Sequence, residues 1–133
     1  MDLIVKNDNN KDSLCSLNCE LHSLAGLMQH PDTLFLIEEI ISSDFFFDKS
    51  NGTLFSVLKS EIENSRTPDK VSISEQLKSL GVSYFGEIPI FDFLTSLTFI
   101  KTTKAATIEN FKILAKLKIL RSLDTDCTEI RKL

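Results

Sequence analysis

Cysteine and histidine residues near the N-terminus offer the first candidate chemistry. Cys15, Cys19 and His22 are close enough in sequence to supply three of the four ligands of a tetrahedral zinc site, with His30 or Cys127 as the fourth. The paired Cys-x2-Cys or His-x3-His spacing typical of zinc sites is absent. The three cysteines are odd in number, and the chain carries no secretion signal. The sequence therefore predicts reduced thiols and no metal.

Catalytic groups do not form a recognisable constellation. The sequence has neither a Gly-x4-Gly-Lys-Ser/Thr loop nor a Gly-x-Gly-x-x-Gly loop, since its glycines are scattered at positions 26, 52, 81 and 86. No Ser or Cys elbow lies near His22 or His30. The adjacent carboxylates Glu38 and Glu39 would point to different faces of a helix, which does not suit a two-carboxylate site. We expect no enzyme activity and no cofactor in this chain.

Basic residues are concentrated at the C-terminal end. Residues 1–100 contain 15 acidic and 7 basic side chains, whereas residues 101–133 contain 4 acidic and 8 basic ones. An acidic head with a basic arm favours self-association, and the arm also offers cations to nucleic-acid phosphates. The alternative is a solvated helix face, which predicts weak DNA binding or none. The candidate contacts are Lys101, Lys104, Lys112, Lys116, Lys118 and Arg121.

Apolar periodicity places these groups in an all-α fold. Residues 1–15 are polar and predict a disordered tail, residues 16–100 predict a head of about five short helices in a compact bundle, and residues 101–133 predict one long C-terminal helix. No segment alternates convincingly as a strand does. No apolar run is long enough to span a bilayer or to form a signal peptide, so we expect a cytoplasmic protein with no membrane contact.

The first helix is predicted from one apolar stripe. Residues at spacings of four, three and four from Leu17 to Met28 indicate a helix over about 17–29, which Pro31 ends. Gly26 lies within this stripe and weakens the helix. We therefore expect another helix to approach its backbone closely at this position.

Capping residues and turns divide the rest of the head. Asp32 and Thr33 predict the start of a second helix that runs through Ile41. A third helix is predicted after residues 48–51 and ends near Ser65. The buried face of the second helix is expected to contain Leu34, Ile37 and Ile41.

Two further helices complete the head. Ser72-x-x-Glu75 is typical of a capping box at the start of the fourth helix, and Gly81 suits the left-handed position after its end. Pro89 predicts the first position of the fifth helix. The buried face of the fifth helix should contain Ile90, Phe93 or Phe91, Leu94 and Leu97.

The long helix carries more apolar surface than one head can cover. Residues 105–132 contain no Gly or Pro, which predicts a helix on the order of 40 Å long. Further apolar residues such as Phe111 and Ile119 widen its apolar arc beyond one face, so the helix requires a second partner. The near-heptad seam predicted to form an oligomer interface is Ile113, Leu117, Leu120, Leu123, Cys127 and Ile130.

Five short segments follow one another in a characteristic order between residues 20 and 130. They are Glu20-x3-Leu24-Ala25-Gly26-Leu27-Met28, Phe46-Phe47-Asp48 with Leu54-Phe55, Asp69-x-Val71-Ser72-Ile73-x-Glu75-x-Leu77, Phe93-Leu94-x-x-Leu97, and Ile108-x-x-Phe111 with Arg121 farther along. Together they resemble the N-terminal domain of DnaB-family replicative DNA helicases. Lys49, Ser50 and Asn51 replace the family's Pro, Arg and His, and only Gly86 remains of a Gly-Gly pair, as in a divergent phage or plasmid member.

The resemblance implies an assembly role in DNA replication. In the family this domain forms a collar, a trimer of dimers that receives the primase or a helicase loader in the primosome. The long helix is the first arm of a helical hairpin whose second arm would follow residue 133. A linker and an ATPase domain, with ATP and Mg, would lie beyond it, so this chain is expected to be a fragment of an ATP-dependent helicase.

Two other functions remain open. A stand-alone adaptor would bind and regulate a host helicase by imitating its collar. A small nucleic-acid-binding protein would use the basic arm, with strongly salt-dependent affinity. A reading frame that continues past Leu133 into a phosphate-binding loop would exclude the adaptor.

Overall fold

Helices form most of the described chain. The computed structural model describes the backbone of residues 17–132 and the side chains of residues 17–123. Within these residues, two 3₁₀ turns, Pro31–Thr33 and Ser43–Phe45, link helices, and an antiparallel hairpin pairs β1 (Tyr84–Phe85) with β2 (Ile88–Pro89). The α-helices are α1 (Leu17–Gln29), α2 (Leu34–Ile37), α3 (Lys49–Glu63), α4 (Lys70–Ser79), α5 (Ile90–Thr98) and α6 (Lys104–Lys132). The predicted all-α fold is confirmed, and the predicted tail over 1–15 lies outside the described residues.

Aspartates, not the predicted serine, begin the middle helices. Asp48 caps α3 by accepting hydrogen bonds from two backbone N–H groups of the first turn. Asp69 caps α4 by accepting from the backbone N–H of Ser72 at 3.0 Å. The predicted capping box at Ser72 is therefore wrong, because Asp69 caps as well as Ser and lies three residues upstream. Glu75 lies 3.9 Å from Lys78 on the surface instead.

The hairpin between α4 and α5 escapes the sequence pattern. Each strand has two residues, which is too short to show alternation. Gly86 has a φ of 66°, which allows the tight turn between the strands. Pro89 belongs to β2, so α5 begins one residue later than predicted. The hairpin contributes Phe85, which stacks on Phe93 with 4.0 Å between ring centroids.

A row of phenylalanines joins three distant segments in the core. Phe46 precedes α3, and its ring centroid lies 5.3 Å from that of Phe55 within α3. Phe55 in turn lies 5.9 Å from Phe111 of α6. Phe111 and Leu114 are buried with the side chains of the other helices. The first half of α6 is thus part of the hydrophobic core.

The closest helix contact is the crossing of α1 and α6. A Cβ added to Gly26 would lie 2.0 Å from Thr107 Oγ1, which is far inside van der Waals contact. Thr107 is fully buried, and its hydroxyl donates to the Thr103 carbonyl at 2.8 Å. Farther along the crossing, the Cys19 thiol donates to the Asn110 carbonyl at 3.3 Å. The predicted close approach at Gly26 is confirmed.

We predict that Gly26→Ala destabilises the fold although alanine is the better helix former. The added methyl has no space beside Thr107, so the free energy of unfolding should fall by about 1–3 kcal/mol. Urea unfolding followed by circular dichroism measures this loss. Thr107→Ala provides the partner variant of a double-mutant cycle, in which the double variant should lose less than the sum of the single losses. Strictly additive losses would argue against a steric contact.

Candidate assembly surface

The outer face of α6 exposes apolar side chains. α6 turns by about 100° per residue, and its inner side is fixed by Thr107, Phe111 and Leu114. The opposite side has Ile119 at 59% exposure and Leu123 at 55%. We define the outer face of α6 as Lys112, Ile113, Lys116, Ile119, Leu120 and Leu123. Most of its large side chains are apolar, which is unusual for a surface helix.

The predicted seam agrees with this face only in part. Ile113 and Leu120 are exposed, as is Leu123. Leu117 is 8% exposed, so the expectation that it is left over for a partner is wrong. Its spacing of four from Ile113 turns it about 40° toward the inner side. Ile119, which lies outside the seam, is exposed in its place. Of the seam, Cys127 and Ile130 have side chains outside the described residues.

The six candidate DNA-contacting cations do not share one face. Lys101 and Lys116 are exposed, and Lys118 is half-buried. Lys104 forms an ion pair with Asp32. The two cations on the outer face are Lys112, which lies 3.9 Å from Glu109, and Lys116. The described cations therefore form no continuous stripe for a phosphate backbone.

The sixth cation, Arg121, holds α6 against the head. Its guanidinium donates to the Phe45 carbonyl at 3.0 Å. The same group lies 5.7 Å from the centroid of the Phe47 ring, a cation–π distance. Arg121 is thus a structural contact between the middle of α6 and the loop before α3.

A buried carboxylate fixes that loop from the other side. Glu20 of α1 is fully buried and accepts hydrogen bonds from the Phe47 backbone N–H at 2.7 Å and from Asn51 Nδ2 at 2.9 Å. A longer contact of 3.4 Å joins it to the Asp48 N–H. Burial raises the pKa of Glu20 above its ordinary value, and these donors oppose that rise. Two of the five sequence segments thus meet at Glu20.

A second apolar surface surrounds α2 and was not predicted as a site. We define the α2 patch as Phe35, Leu36, Glu38, Glu39 and Ile40. Leu36 is 68% exposed and Phe35 58%. The opposite side of this segment is buried through Leu34, Ile37 and Ile41, as predicted. The signal was present in the sequence, because positions 34–37 are apolar without interruption.

The histidine side chains in the described part of the chain contact neighbouring backbone carbonyls. No group of three or more His, Cys, Asp or Glu residues there could hold a metal ion. His22 Nδ1 lies 2.9 Å from the Asn18 carbonyl, and His30 Nε2 lies 2.9 Å from that of Thr102. Burial raises the pKa of the Cys19 thiol. Cys15, like Cys127, is outside the described side chains.

None of the described helices combines the length and the apolar character required to cross a bilayer.

Comparison with known proteins identifies one family. A family model described as the DnaB-like helicase N terminal domain matches residues 12–116. The matched range includes α1 to α5 and the first part of α6. Comparisons with curated proteins and with solved structures gave no match. The family resemblance inferred from the five segments is confirmed.

We predict that Glu20 stabilises the fold more at low pH than at neutral pH. Its folded-state pKa is raised, so its contribution is complete below the ordinary glutamate pKa of about 4.3 and is lost as the pH rises through the folded-state pKa. Compared with Glu20→Gln, the wild-type free energy of unfolding should therefore improve between pH 7 and pH 5. Urea unfolding at each pH measures the difference.

Glu61→Gln is the control with the opposite sign. Hydrogen bonding to Arg66 lowers the pKa of Glu61, so its contribution is present above the ordinary glutamate pKa and is lost as the pH falls through the folded-state pKa. A difference between wild type and Glu20→Gln that does not change with pH would contradict the raised pKa.

Proposed function

The chain belongs to the family of DnaB-like helicase N-terminal domains, and we propose that it is an assembly module that self-associates and docks other replication proteins. The family domain is the non-catalytic part of its helicase, which agrees with the absence of a phosphate-binding loop from this sequence. Several contacts that hold this fold together are made by residues of the family-like segments, among them Glu20, Asp48 and Phe111.

The observation that carries the proposal is the outer face of α6. Its apolar side chains remain exposed although the inner side of the same helix is already packed. Removing such area from water contributes about 25 cal/mol per Å². A helix that is apolar on both sides is stable in water when a partner covers the second side. Self-association through α6 meets this requirement.

The form of the assembly and the identity of its partners are inferred from the family. We propose that the assembled domains form a collar built as a trimer of dimers, and that this collar receives the primase or a helicase loader in the primosome. ATP hydrolysis would belong to a separate ATPase domain of the parent protein. DNA contact by this chain is proposed to be weak, because its candidate cations point in several directions.

We predict that a charge on the outer face of α6 prevents self-association. Leu120→Asp and Leu123→Asp should each weaken the association by about 2 kcal/mol or more, because an unpaired carboxylate would be buried in the interface. Sedimentation at matched concentrations measures the change in mass. Val71→Asp, at a 60% exposed position on α4, is the matched control. Leu117→Asp is not a suitable probe, since Leu117 is buried within the chain.

The wild type should form dimers or a concentration-dependent mixture, and Val71→Asp should behave like it. If the wild type associates and both α6 variants show the same mass at matched concentration, the outer face is not the interface and the proposal fails.

We predict weak, salt-sensitive binding of single-stranded DNA. A few lysine–phosphate contacts lose most of their strength at about 0.2 M salt, so fluorescence anisotropy should show little binding there. Lys112→Ala with Lys116→Ala should weaken what remains at low salt, whereas Lys78→Ala on α4 should have little effect. Binding near a micromolar Kd that persists at about 0.2 M salt would instead favour a nucleic-acid-binding function.

A further inference from the structure

We propose that the outer face of α6 in one copy docks on the α2 patch of a second copy. This inference rests on the proposed self-association and names the surface that α6 meets. It concerns two surfaces that the chain leaves exposed, one basic and apolar, the other acidic and apolar.

The two surfaces are complementary in composition. The outer face of α6 places Lys112 and Lys116 among its isoleucines and leucines. The α2 patch places Glu38 and Glu39 among Phe35, Leu36 and Ile40. Apolar side chains of one surface would cover those of the other, while the carboxylates face the ammonium groups. Such complementarity steers association and fixes the register of an interface.

The acidic side of this pair has an unused acceptor. Glu38 Oε2 is shielded from solvent and has no hydrogen-bond partner among the described residues. An acceptor of this kind is costly to leave without a donor. In the proposed dimer the Glu38 side chain turns outward, and a lysine ammonium group of the second copy supplies that donor.

A symmetric pairing of α6 with α6 is less suitable. It would bring Lys112 and Lys116 of both copies into one interface, with Glu109 as the only acidic side chain on the described outer side of α6 near them. Like charges brought close together in an interface cost free energy. Docking α6 on the α2 patch replaces this repulsion with attraction.

The proposed contact would form twice in a two-fold dimer. The two helices touch each other within one chain, so the outer face and the α2 patch belong to neighbouring elements. In a two-fold dimer a residue of one surface contacts its counterpart in both directions. Each dimer would then contain two equivalent contacts of α6 with α2.

A mixing experiment with the full 133-residue chain tests this arrangement. Leu123→Asp disrupts the outer face of α6 and leaves the α2 patch intact. Leu36→Asp disrupts the α2 patch and leaves the outer face of α6 intact. Leu36 is 68% exposed, so its replacement should leave the fold intact, which circular dichroism verifies. Each variant alone should associate about tenfold or more weakly than wild type in sedimentation. An equimolar mixture should recover association in part, because the mixed dimer has one intact contact, between α6 of Leu36→Asp and the α2 patch of Leu123→Asp, whereas a dimer of either variant alone has none.

Charge reversal provides an independent readout. Lys112→Glu with Lys116→Glu should abolish association at low salt, and so should Glu38→Lys with Glu39→Lys. All four changes in one chain should restore it, since the attraction is re-formed with opposite signs. Glu63→Lys, a charge reversal at an exposed position at the end of α3, is the control that should leave association unchanged.

The outcomes separate this inference from the proposed function. If Leu123→Asp dissociates the protein but Leu36→Asp does not, α6 pairs with α6 or another surface, and only this inference is overturned. The same holds if mixing gives no recovery. If neither variant changes the mass of an associated wild type, or if the wild type is monomeric at all concentrations, the proposed function and this inference fail together.

Discussion

The contact between Gly26 and Thr107 is the constraint on which the arrangement of the whole molecule depends. No side chain larger than hydrogen fits at Gly26, so α1 and α6 approach there to a distance that helices with ordinary side chains do not reach. This contact fixes the rotation of α6 about its own axis. Once Thr107 points inward, Phe111 and Leu114 enter the core, and the side that carries Ile119 and Leu123 must face outward. The exposure of the apolar outer face is therefore a consequence of how α6 packs on α1.

Polar contacts fix the loop before α3 against α1 and α6. Glu20 holds the loop before α3 through backbone and amide donors, and Arg121 holds the same loop from α6. Burying the Glu20 carboxylate costs free energy, as its raised pKa shows, but its donors offset part of that cost. These contacts fix the position of Phe46, whose ring packs on Phe55, which in turn packs on Phe111. Segments far apart in the sequence are thereby joined at a few contacts.

The surface that remains is suited to association more than to chemistry. The exposed apolar side chains of α6 lie among lysines, and those around α2 lie among glutamates. The described histidines and Cys19 are engaged by neighbouring backbone groups. Polar side chains that contact the chain's own backbone and apolar side chains that face outward agree with membership of a family of helicase N-terminal domains. In the proposed dimer, the opposite charges of the two surfaces would set which surface meets which.

The sequence by itself determined the helical class, the buried faces of α2 and α5, the close approach at Gly26 and the family. These follow from local periodicity, from turn residues such as Gly81 with its φ of 88°, and from the order of short motifs. Only the tertiary structure decided that Leu117 is buried while Ile119 is exposed, and that Arg121 contacts the head. It also decided that Asp69 caps α4. Periodicity gives the angles between side chains on one helix, but it does not give the direction in which the helix faces. That direction depends on packing against residues distant in sequence, here α1 against α6.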